Sequence, residues 1–142
     1  KSPFGFNHGY FYYLYNGKIA TAYYSGLNVN RYTTSNSTIS NGQWRHVVVT
    51  YNANDTSTGN KIYIDGVLDV SGNTMNLTSG MAPIGYTNPM KSCIGAIIQS
   101  GTPTSFLSNG TQLDAVSVWN KTLTQSEVTE LYNSGNGKQY PY

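Results

Sequence analysis

QWRHVVVTYNANDTSTGNKIYIDG, residues Gln43 to Gly66, opens with β-branched and aromatic residues from Trp44 to Tyr51, a composition that suits a pleated, largely buried strand. Alternation puts Trp44, His46, Val48 and Thr50 on one face and Arg45, Val47, Val49 and Tyr51 on the other. Both faces carry apolar groups, which predicts a mid-sheet strand with another layer over it. In the segment Lys61 to Asp65, Ile62 and Ile64 share a face. Asp65-Gly66 then supplies the positive φ angles of a two-residue hairpin into Val67-Leu68-Asp69-Val70. Asn52 to Asn60 is a polar connection, too long for a tight turn. The pattern is that of an antiparallel core.

Upstream, Phe4 to Tyr15 reads as a strand, and Asn16-Gly17 is the strongest short hairpin signal in the chain. Lys18 to Tyr24 returns as its partner. Aromatics fall on both faces of this hairpin, so one row of tyrosines must meet solvent, a neighbour or a ligand. The plainer reading is cross-strand tyrosine pairing on a surface. Ser25 to Asn41 is polar, with a short strand and then a loop into Trp44. Downstream, Ser92 to Ile98 and Thr111 to Trp119 read as strands, the second with Leu113, Ala115, Ser117 and Trp119 alternating against Asp114, Val116 and Val118. Thr124-Gln125-Ser126-Glu127 is a capping box, flanked by Leu123 and Val128 as a hydrophobic staple. A short helix follows, with Val128, Leu131 and Tyr132 as its apolar stripe and Gly135 as its C-terminal glycine.

The chain has 142 residues, enough for a single domain with one core and no metal or disulfide staples. Charged residues make up 10%, against roughly a quarter in an average soluble domain. Asn, Ser, Thr, Gly and 13 tyrosines fill the gap, as is common in secreted, cell-surface and virion proteins. The net charge of +2 comes from scattered basic residues without a cluster, which argues against a nucleic-acid partner. No apolar run approaches membrane-spanning length, so membrane insertion is not expected. Cys93, the single cysteine, is expected to be a small buried hydrophobe. The chain starts at Lys1-Ser2-Pro3 without a methionine and reads as the C-terminal part of a longer protein.

Four stretches in order, QWRHVVVTYN, NKIYIDG, SCIGA and LDAVSVWNKTLTQSEVTELYNSG, resemble the laminin-G-like jelly roll of the concanavalin A-like lectin and glucanase superfamily. The resemblance implies an all-β antiparallel sandwich, residues 1–142, with one short C-terminal helix and without the strands that usually come first. It also implies that Trp119 packs in the core beneath the helix, and that a structural calcium (Ca2+) at the sandwich rim could use Asp114. Such an ion needs several oxygen ligands.

Some relatives in that superfamily are glycosidases, which need two carboxylates about 5–10 Å apart. The acids here are Asp55, Asp65, Asp69, Asp114, Glu127 and Glu130, without the clustered acidic strand of the related glucanases. Asp69 and Asp114 could approach in space, but the sequence does not bring them together. His46 shares a strand face with Trp44 and Val48 and reads as a satisfied core histidine. The expectation is therefore no catalysis and a carbohydrate-binding or adhesion module, extracellular, on a cell surface or on a virion. Its partner would be a glycan or cell-surface polysaccharide. Sugars stack on flat aromatic rings, and the candidate platforms are Tyr13, Tyr15, Tyr24 and Tyr86. The alternative is a structural module of a large assembly such as a capsid decoration, fibre or tail, packed against sister subunits.

Overall fold

Two three-stranded antiparallel sheets and a short helix make up most of the secondary structure among the described residues. The structure is a computed structural model that describes residues 8–25, 30–52, 55, 59–71, 93–99, 102–104, 106–107 and 109–138, with the backbone alone described for 8–11, 23–25, 30–31, 97–99 and 102–104. The first sheet has the order β1-β2-β3, from β1 (His8–Tyr15), β2 (Lys18–Ser25) and β3 (Asn30–Thr34). The second has the order β4-β5-β6, from β4 (Val47–Tyr51), β5 (Asn60–Ile64) and β6 (Val67–Ser71). A small ribbon joins β7 (Ile97–Gln99) to β8 (Thr102–Thr104). Helix α1 (Gln125–Tyr132) lies near the C-terminal end.

Both hairpin signals are realised. Asn16 and Gly17 take φ of 49° and 72°, and Asp65 and Gly66 take 51° and 78°, the pair of positive angles whose twist matches the flanking strands. Gly66 has a second role. A Cβ there would lie 2.8 Å from Tyr132 Cδ1, so glycine lets α1 close onto the hairpin. Gln125 Nε2 (2.6 Å) and Thr129 Oγ1 (3.2 Å) both donate to the Gly66 carbonyl, tying the helix to the same turn.

The second sheet is covered on both sides. On one face Tyr63 is buried with Leu123 and Val128, and the partly buried Val48 and Leu131 pack against them. Leu123 and Val128 are the staple flanking the capping box, and the box itself is complete. On the other face β5 meets the first sheet. Asn60 Nδ2 donates to Thr21 Oγ1 at 2.9 Å and to Thr33 Oγ1 at 2.8 Å, and all three residues are fully buried. Thr21 and Thr33 lie opposite each other on β2 and β3, so one amide group bridges the pair. A register shift between Ile62 and Tyr63 leaves Asp69 out of the ladder, and its carboxylate caps the Asn36 (2.5 Å) and Ser37 (3.0 Å) amides just beyond β3.

Several expectations are corrected. The strand expected from Trp44 begins at Val47, and Trp44 is 66% exposed rather than central. Pairing does reach back one step, because Asp65 N–H donates to the His46 carbonyl and Asp65 Oδ1 accepts from His46 N–H. The segment 111–119 is not a strand, and its residues are exposed. Ala115 has φ of 50°, and its N–H donates to Asp114 Oδ1 at 2.8 Å, a local bond that competes with any ladder. Trp119 at the end of that segment is 38% exposed and not a core residue. The strand expected at Ser92 starts at Ile97, and Cys93 is exposed, so it is no buried hydrophobe. The helix ends at Tyr132 with Asn133 as a left-handed cap, two residues before Gly135.

Replacing Asn60 with Ala removes both bonds to buried hydroxyls and opens a void between the sheets. The expected cost is about 2–3 kcal/mol in urea denaturation. Thr124→Ala, which removes the helix cap, is expected to cost about 1 kcal/mol. An Asn60→Ala midpoint equal to wild type would show that the sheets are held by other contacts.

Candidate functional site

Residues directly opposite each other on antiparallel strands share a face, and the register of the first sheet therefore assigns its tyrosines. Tyr13 lies opposite Ala20 and Ala20 opposite Thr34, while Ala22 lies opposite Tyr32 and Tyr15 opposite Lys18. The alternate positions, Thr21 and Thr33, turn inward to Asn60. Tyr13, Tyr15, Lys18, Tyr32 and Thr34 thus stand on the face turned away from the second sheet.

Tyr13 and Tyr32 belong to strands two spacings apart, about 10 Å at the backbone. Their ring centroids are nonetheless 6.5 Å apart, with planes tilted by 43°. The rings lean together over β2, where Ala20 and Ala22 are buried. A small side chain at both alanines is what lets two large rings converge. Tyr15, 56% exposed, flanks them at the hairpin end with the half-buried Lys18 opposite it, and the half-buried Thr34 lies across the sheet opposite Ala20. The result is an aromatic platform with an ammonium and hydroxyls at its rim.

Of the tyrosines singled out from sequence, Tyr13 and Tyr15 come together on this face. Tyr24 lies on β2 opposite Gly9 and Asn30, and its side chain lies outside the described part. Tyr86 lies outside the described residues. Tyr32 was missed: it is a single tyrosine in a polar segment, and only the β2–β3 register reveals that it meets Tyr13.

The carboxylates are engaged in structural contacts. Asp65 pairs with Arg45 at 2.5 Å, Glu130 with Lys138, and Asp69 holds the turn after β3. Glu127 accepts from Lys121 and from the Thr124 N–H and hydroxyl, which together hold its pKa down to about 2. Asp114 is exposed and accepts from its neighbour's amide. Among the described residues no three His, Cys, Asp or Glu side chains converge as a metal site.

An open groove of about 990 Å³ runs between the Asp65–Gly66 turn and α1, lined in part by Gln125, Glu130, Tyr132 and Lys138. The His46 ring lies against that of Tyr132, with centroids 5.8 Å apart and planes tilted by 33°. His46 is half-buried, and its Nδ1 is buried without a hydrogen-bond partner, so it is not the satisfied histidine expected. Burial holds its pKa below the ordinary imidazole value, against the opposing pull of Asp65.

A family model described as the concanavalin A-like lectin/glucanases superfamily, of laminin-G type, matches residues 3–129. The chain belongs to this laminin-G-like family. Its strand composition, paired sheets and C-terminal helix agree with that membership. No curated protein and no solved structure matches the chain. At the level of the superfamily, this laminin-G-like domain is a lectin/glucanase-like module.

The two shifted groups set a pH dependence. For His46 the unfolded chain takes up the proton first, so stability present above about pH 6.5 is lost as pH falls from there toward the lower folded value. For Glu127 stability is present above its ordinary 4.5 and is lost as pH falls toward about 2. The melting temperature of His46→Gln, compared with wild type across pH 7.5 to 3, is expected to lack the first decline and keep the second. Parallel curves would remove His46 from the account.

Proposed function

We propose that this laminin-G-like domain is a non-catalytic carbohydrate-binding module of an extracellular, cell-surface or virion protein. The observation that carries the reading is the convergence of Tyr13 and Tyr32 over Ala20 and Ala22, with Tyr15 exposed beside them. Sugar rings present flat C–H faces to aromatic rings, and phenol and threonine hydroxyls bond to sugar hydroxyls at the edge. Tyrosine has few rotatable bonds, so ordering it against a ligand costs little entropy.

The absence of catalysis is part of the proposal. Its support is that Asp65, Glu127 and Glu130 are each tied to a cation and Asp69 to a backbone turn. A glycosidase acid needs a pKa raised toward neutrality, and Glu127 is shifted the opposite way.

A second reading, a structural module packed against sister subunits, draws on a different observation. Phe106, Leu113, Val116 and Val118 are exposed in the stretch before α1, Val118 at 83%. Such apolar exposure suits burial against another chain.

A glycan array followed by calorimetry tests the first reading. Tyr15→Ala and Tyr13→Ala are each expected to weaken binding of the selected glycan roughly ten-fold, with the fold intact by circular dichroism. The bound glycan is expected to be recovered uncleaved in a reducing-end assay. Silence on the array together with an oligomer by light scattering favours the structural reading instead.

A further inference from the structure

The ligand class of the tyrosine face can be narrowed from charge. The first 54 residues contain four basic residues, Lys1, Lys18, Arg31 and Arg45, and no Asp or Glu; the first acid is Asp55. The strands of the first sheet therefore bring no carboxylate of their own to either face. An acid that does reach this sheet from elsewhere is Asp69, and its carboxylate is spent on the Asn36 and Ser37 amides beyond β3. Lys18 stands on the tyrosine face opposite Tyr15, next to the hairpin turn.

The ion pairs among the described residues use Arg45, Lys121 and Lys138, and among these residues no ion pair or hydrogen bond engages the Lys18 ammonium. It is half-buried, so it is less hydrated than a fully exposed lysine. An unpaired cation beside aromatic rings, on a sheet without competing carboxylates, is complementary to an anion carried on an otherwise hydroxylated ligand.

We propose that the tyrosine face takes an acidic saccharide, whose anionic group meets Lys18 while its ring stacks on the tyrosines. This rests on the carbohydrate-binding reading and adds the charge of the ligand. The shared chemistry is an anionic group on a sugar. A carboxylate of a uronic or sialic residue and a sulfate ester would both satisfy it.

The test is a glycan array holding acidic glycans beside neutral counterparts of the same linkage, with uronates paired to their methyl esters and sulfated sugars to their desulfated forms. Calorimetry on the best pair follows, at low and at high salt. The acidic member is expected to bind about five-fold more tightly at low ionic strength, the size an accessible ion pair supports. That preference should shrink at high salt. Lys18→Gln is expected to remove the preference, and the uronate and sulfate arms show which anion is taken. Equal binding of both members, or a preference untouched by Lys18→Gln, overturns the acidic assignment and leaves carbohydrate binding standing. No binding by any glycan overturns both.

Discussion

The two hydrogens of the Asn60 side-chain amide, each donated to a different threonine, set the orientation of the first sheet. Because Thr21 and Thr33 lie opposite each other, one amide can bridge them only if both point at β5. A slip of one residue in either strand would turn one hydroxyl outward and leave a buried donor unpaired. Hydrophobic contact alone would not discriminate so sharply, since it has no direction. The fully buried Ile62, two residues along β5, supplies apolar area at the same junction. The polar bridge supplies the register.

The tyrosine face follows from that choice. With the threonines fixed inward, strand alternation leaves Tyr13, Tyr15 and Tyr32 outward and places Ala20 and Ala22 beneath them. The platform is therefore built on a sheet whose backbone is held by its ladders, rather than on a loop. Sites on regular elements keep their geometry better than sites on loops. Asp69 adds to this from the other sheet, since its carboxylate fixes the exit of the strand that carries Tyr32.

What could be read from the sequence was local. Asn16-Gly17, Asp65-Gly66 and the Thr124–Glu127 box each carry their conformational preference within four residues, and each appears where expected. Trp44 was misplaced because alternation reports a face and not whether a neighbour covers it, and Trp119, expected in the core from the family resemblance, lies in the exposed segment 111–119. The segment 111–119 carries a strand pattern, yet Asp114 bonds its own neighbour's amide and Ala115 turns to positive φ. Local hydrogen bonding won there over propensity. Asn60 and Tyr32 were not distinguishable from other polar-segment residues, because their partners are tens of positions away.

A chain with 10% charged residues has few ion pairs with which to set its surfaces, so the placement of each charge matters more. Three cations, Arg45, Lys121 and Lys138, are matched to Asp65, Glu127 and Glu130, all around the second sheet and its helix. These pairs close the box at the start of α1, brace the Asp65–Gly66 turn and hold the segment after the helix, so their role is local and structural. The first sheet is built on the opposite plan. Its buried polar side chains Thr21 and Thr33 are hydroxyls, met by the Asn60 amide of β5, and its outward face offers phenols, hydroxyls and one ammonium. A surface of phenols and hydroxyls that brings no carboxylate of its own suits the polyhydroxylated partner proposed above. That division of labour follows from where the acids fall in the chain, all of them after the first sheet is complete.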